Sequence, residues 1–191
     1  MPRTYDMTNR SNAVARTKER IIAATEMLLA NGSLTDLTLQ AIADNTGVTV
    51  QTVLRHMGSR EGCLAAVAKV VLERVESQRG HTEPGDLDAA ISSVLDHYEA
   101  ESSLVLNLME QAGTGDAFAM KAIESGRIYH RNWVKRCFGP LISELKSEIT
   151  DALVAATDIY TWKLLRHDIG RSKKAARAVM NRLVRGILEA S

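Results

Sequence analysis

The stretch LQAIADNTGVTVQTVLRHMGSREG, residues 39–62, holds two short runs of helical apolar spacing separated by Gly47. Two short helices pack at a steep angle only when their contact positions are small or apolar and the turn between them tolerates positive φ. Gly47 supplies the turn, and Ala43, four residues earlier, lets the helices approach. Ile42, Val48 and Val53 would then share a core, closed against Ile21 and Leu28 of a preceding helix. With those residues inside, the second helix turns Gln51, Thr52, Arg55 and His56 outward, with Val50 beside them. An ordinary solvent-facing helix carries Glu and Lys instead. Gln pairs with adenine at two points, Arg with guanine, Thr bonds phosphate and Val rests on a thymine methyl, so this face has the chemistry of a reader of DNA.

Around that core the pattern is helical throughout. Ile21, Ile22, Ala24, Leu28 and Leu29 repeat at helical spacing from Arg16 to Asn31, before Gly32. Thr38 and Thr49 stand where hydroxyls cap the next two helices, and Ser59 opens a fourth that runs to about Arg79. GHTEPGD, residues 80–86, has no apolar residue and reads as a connection. Further helices are expected near 86–98, 101–112, 116–138, 147–167 and 171–189. The expected fold class is all-α, about nine helices: an arm over 1–15, a three-helix helix-turn-helix domain with its connecting fourth helix over 16–79, and a helical domain over 86–191.

The 191 residues balance 24 Lys and Arg against 23 Asp and Glu, a net charge of +1. The total thus favours no polyanion, and distribution must decide. Arg3, Arg10, Arg16, Lys18 and Arg20 face only Asp6 and Glu19 in the first twenty residues. Such an arm can follow phosphates or enter a minor groove, and can equally be a solvated tail. The longest uncharged run, Asn45 to Leu54, falls short of the roughly 18 apolar residues of a membrane span. The N-terminus has no apolar signal core, and a cytoplasmic location is expected. Cys63 and Cys137 lie in apolar helical runs without partners at zinc spacing and read as buried thiols.

The run from Arg20 to Val67 resembles the DNA-binding domain of the TetR-like (TetR/AcrR) transcriptional regulators. The matching pieces are RIIAAT in the first helix, TLQAIADNTGVT across the second helix and turn, TVLRHM in the recognition helix, and GSREG opening the fourth. The resemblance implies that Thr38, Thr52, His56 and Arg60 touch the DNA backbone and that Val50, Gln51 and Arg55 face bases. Thr49, at the start of the recognition helix, joins this contact set. Leu54 departs from the family, which usually has an aromatic there, and Met57 stands where Phe is usual.

The tail ATDIYTWKLLRHDIGRSKKAARAVMNRLVRGIL also looks like the closing helices of a TetR-like subgroup. The resemblance implies a homodimer through an intermolecular four-helix bundle, with Val154, Thr157, Thr161, Leu164, Leu165, Val179, Leu183, Gly186 and Ile187 in the seam. It also implies a palindromic double-stranded operator and a small-molecule effector. For a partly apolar effector the candidates are His97, Tyr98, Met109, Met120, Tyr129, Trp133 and Trp162; at helical spacing the same residues also suit a core.

No enzyme is expected. The adjacent His167 and Asp168 are the most tempting catalytic feature, but a metal site needs further ligands, and no helical His pair supports them. No phosphate-binding glycine loop or nucleophile elbow is present, so no metal or cofactor is expected. The expectation is a homodimeric, effector-responsive regulator, a repressor in the first instance. The alternative is a helical ligand-binding or interaction protein whose helix-turn-helix no longer binds DNA.

Overall fold

In the computed structural model, residues 7–142 and 146–191 are described, with side chains from residue 11 onward. Among them there is no strand. The helices are α1 (Met7–Asn31), α2 (Leu39–Thr46), α3 (Val50–Met57), α4 (Arg60–Val75), α5 (Leu87–Gly113), α6 (Ala117–Phe138), α7 (Ser147–Thr157), α8 (Ile159–Lys163) and α9 (Lys173–Glu189). Single π-helical turns follow α4 (Glu76–Gly80) and α8 (Leu164–Asp168).

The chain divides into two compact units. The first takes the chain through Val71 together with Ser103–Ala119; the second takes Leu72–Ser102 together with Met120–Ser191. The division differs from the expected boundary at residues 80–86, because the C-terminal half of α5 belongs with the helix-turn-helix. Leu104 and Ala119 are buried in the core formed by Ile21, Leu29, Ile42, Ala43, Val53 and Val67, with Val48 and Leu28 packed at its edge. Asn107 donates to the Gly32 carbonyl at 2.8 Å, and the Gln111 amide oxygen accepts from the Leu34 backbone. The open C-terminal end of α1 and its following loop are thus satisfied by side chains of α5, as orphan helix-end groups require.

Three expected element limits change. α1 begins at Met7, inside the segment expected as a flexible arm; Arg3, Asp6 and the Arg10 side chain lie outside the described residues. The separate helices expected at 86–98 and 101–112 are one, α5, since the intervening Glu99 and Ala100 are both good helix formers. The helix expected over 147–167 is broken at Asp158, whose extended backbone ends α7 and whose carboxylate accepts from the Tyr160 amide at 2.9 Å to open α8.

Candidate functional site

In the first unit, α2 is capped by the Thr38 hydroxyl, which accepts from the Ala41 amide. It ends at Gly47, at φ 70°, whose amide donates to the Ala43 and Asp44 carbonyls. The chain restarts two residues later with the Thr49 hydroxyl accepting from the Thr52 amide. A left-handed residue placed between two capped helices makes so tight a turn. Arg20 of α1 donates to the Thr46 carbonyl beside it, so this base serves the turn and not a free arm.

Val53 is fully buried and fixes the rotation of α3. Gln51, Leu54 and Arg55 are consequently exposed, with Thr52 and His56 half-buried at their flanks. Two expected contact residues behave otherwise. Val50 packs against the core and is half-buried. Arg60 turns inward, donating from Nε to the Leu37 carbonyl at 2.6 Å and from Nη2 to the Leu34 carbonyl. Its guanidinium holds the loop before α2 instead of standing free toward a phosphate. Leu54, where the family usually has an aromatic, shares the outer face with Gln51 and Arg55.

Residues 21–67 match the family model described as "Bacterial regulatory proteins, tetR family". Over those residues the chain is similar to that family. A transcriptional regulator from Rhodococcus sp. Rha1 is similar over 91% of this chain and 96% of its own, at TM-score 0.69 and 18% identity. A TetR-family transcriptional regulator from Streptomyces coelicolor is similar over 96% of both chains, at TM-score 0.69 and 16% identity. The multidrug binding protein EbrR, solved with imidazole, is similar over 96% of both at TM-score 0.54 and 18% identity. At such identities the likeness is one of fold. The comparison with curated proteins gave no match.

The second unit of this TetR-type fold gathers most of the expected effector residues around one that the sequence reading missed, Arg79. Arg79 lies in the π turn after α4 and is 2% exposed. Its guanidinium carbon sits 4.3 Å from the centroid of the Trp133 ring and 5.4 Å from that of Tyr129, a cation over two π faces. Its Nη2 lies 2.7 Å from His130 Nδ1. Because guanidinium can only donate, Nδ1 accepts, and the His130 proton sits on Nε2, 3.2 Å from the Thr157 hydroxyl. That hydroxyl in turn donates to the Leu153 carbonyl at 2.7 Å. Burial, reinforced by the Arg79 charge, pushes His130 down to about 3. His97, bonded through Nδ1 to the Gln78 amide oxygen at 2.9 Å, is likewise pushed down to about 3 by burial and by Arg79 and Arg74. Burial raises the Tyr98 phenol, which donates to the Thr157 carbonyl at 3.2 Å. Trp133 donates to the Arg79 carbonyl, and Trp162 to Glu99.

Met109 and Met120 do not join this group: Met109 belongs to the first unit, and Met120 is exposed. No pattern in the sequence marks Arg79, since one arginine in SQRGH looks like surface charge. His167 packs edge-on against Trp162 at 4.9 Å and Asp168 pairs with Lys163 at 2.8 Å. Among the described residues no group of three or more His, Cys, Asp or Glu is placed to hold a metal ion, and no helix is long and apolar enough to cross a membrane.

Of the expected seam, Leu164, Val179 and Leu183 are exposed apolar residues, joined by Tyr160 and Ile169. Gly186 is exposed, and a Cβ there would meet nothing within 4 Å. Val154, Thr161 and Ile187 are half-buried. Thr157 and Leu165 face inward: Thr157 is fully buried in the His130 network and Leu165 is 7% exposed. The break at Asp158 changes the helical phase between Thr157 and Leu165, so the two runs do not continue the one stripe expected of an unbroken helix.

Proposed function

We propose that the protein is a homodimeric, non-catalytic cytoplasmic transcriptional regulator that binds a palindromic operator, acts as a repressor, and is released by a small molecule held in the second unit. The observation that carries this reading is α3 itself: a helix capped at Thr49, pinned by buried Val53, and presenting Gln51, Leu54 and Arg55. Gln51 and Arg55 are the base readers. Thr38, Thr49, Thr52 and His56 are the neighbouring backbone contacts, the two caps lying at helix N-termini where backbone amides attract phosphate.

Dimerisation is supported by α9, which has two apolar stripes. Ala176, Met180 and Val184 are buried in their own unit, while Val179, Leu183, Gly186 and Ile187 repeat on an adjoining, more open face. One recognition helix gives little affinity, whereas two held about 34 Å apart meet successive major grooves. An effector releases the DNA by its differential affinity for the conformation in which that spacing is lost. Selection from random genomic fragments at moderate salt tests the reading. A two-fold symmetric sequence should be enriched, and recovery of fragments with no common sequence would leave a helical ligand-binding protein with an inert helix-turn-helix.

A further inference from the structure

Arg79 carries a full positive charge into the interior of the second unit without an anion to meet it. Its Nε–H is buried and has no hydrogen-bond partner. Among the described residues no carboxylate pairs with it: Glu76, on the same turn, is exposed, and Asp158 acts on Tyr98. A second arginine adds charge of the same sign, since Arg136 donates to the Arg79 and Thr82 carbonyls, both at 2.9 Å. The two histidines that line the cluster stay neutral and add no charge of either sign. A buried charge with an idle donor is costly, and an opposite charge that reaches it offsets that cost.

We infer that the second unit binds a small monocarboxylate with a flat apolar body, its carboxylate paired with Arg79 and its body beside the half-buried Tyr129 ring; this rests on reading that unit as the effector domain. The planar guanidinium matches a carboxylate. One buried cation among aromatic rings suits a single negative charge, whereas a phosphate dianion would leave charge and hydration unsatisfied. The bond from His97 to Gln78 and the carbonyl bonds from Trp133 and Arg136 tie the same π turn to its surroundings, so engagement of Arg79 acts on the turn at the end of α4. Inserted π turns recur at functional sites.

The test compares full-length protein with benzoate, 2-naphthoate and octanoate, each against its uncharged amide, by calorimetry and thermal midpoint. The aromatic carboxylates should bind with an affinity about ten- to a hundredfold above their amides, and Arg79→Met should remove that difference. Should Arg79→Met fail to fold, the acid-against-amide comparison on the unaltered protein still decides. Equal binding of acids and amides overturns the inference, as does binding by no carboxylate, or an acid preference that survives in a folded Arg79→Met. The same samples are titrated with the selected DNA. Arg79-dependent acid binding without any DNA binding overturns the regulator reading and leaves the anion site standing. DNA binding released by the amides alone does the reverse.

Discussion

Arg55 and Arg60 lie five residues apart, yet one stands in solvent and the other clamps two carbonyls. Sequence reasoning gave both to DNA, because a lone charge near a recognition helix says nothing about whether backbone acceptors lie within its reach. Arg60→Ala should therefore act on folding: it leaves the Leu34 and Leu37 carbonyls without their donor, at about 1–3 kcal/mol each, and should lower the urea midpoint. Gln51→Ala should instead leave the midpoint unchanged and relax preference at one base position by about 1–3 kcal/mol, read by binding to operator variants. An Arg60→Ala protein of normal stability whose binding loses salt dependence would return that residue to the phosphate contacts. His97 and His130 give a second residue-scale expectation. Both are held neutral in the folded state, down to about 3 against an ordinary 6.5. Between those limits the unfolded chain binds more protons, so stability is complete above 6.5 and is lost as the pH falls toward 3. Unfolding midpoints at pH 7.5, 6 and 5 should fall in order, before ordinary carboxylates titrate, and a flat series would show that the imidazoles are not held neutral.

At the level of elements, Gly47 before α3 and Gly62 after it differ in cause and in cost. Gly47 has φ 70°, and a Cβ there meets nothing closer than Arg20 Nη2 at 3.8 Å, so Gly47→Ala costs only backbone strain, about 1–2 kcal/mol. Gly62, in the first turn of α4, would place a Cβ 1.9 Å from the Met57 carbonyl oxygen at the end of α3. Backbone must move there, and Gly62→Ala should cost about 3 kcal/mol or more while disturbing the recognition helix it follows. Chemical denaturation of the two variants gives the order, and an equal or reversed loss would mean that the α3–α4 junction yields. Gly47 was legible in the sequence because a turn glycine is bounded by two apolar patterns. The role of Gly62 was not, since close approach of another segment leaves no periodic trace. Helix existence was legible by the same periodicity, whereas the break at Asp158 rests on one carboxylate accepting one amide.

For the molecule as a whole, the proposed pairing of two recognition helices rests on the outer stripe of α9. The outer stripe Val179, Leu183, Gly186 follows from the apolar spacing of the sequence, and the folded chain sets beside it a buried inner stripe, Ala176, Met180 and Val184. The core of the first unit was readable from contact positions on α1, α2 and α3. The grouping around Arg79 was not, because it joins residues from four stretches more than fifty positions apart at its extremes. The separation of stripes makes the last prediction specific. Leu183 is 44% exposed in the single chain, so Leu183→Glu should leave the fold of one chain within about 0.5 kcal/mol of its original stability. In a seam, the same change sets an unpaired charge against its own copy across the two-fold axis, which is strongly unfavourable. Sedimentation should then show a folded monomer, and specific operator binding should be lost because half-site contacts no longer add. Met180→Glu, on the inner stripe at 0% exposure, should instead unfold the chain. A Leu183→Glu protein that sediments as a stable dimer would move the interface to another face.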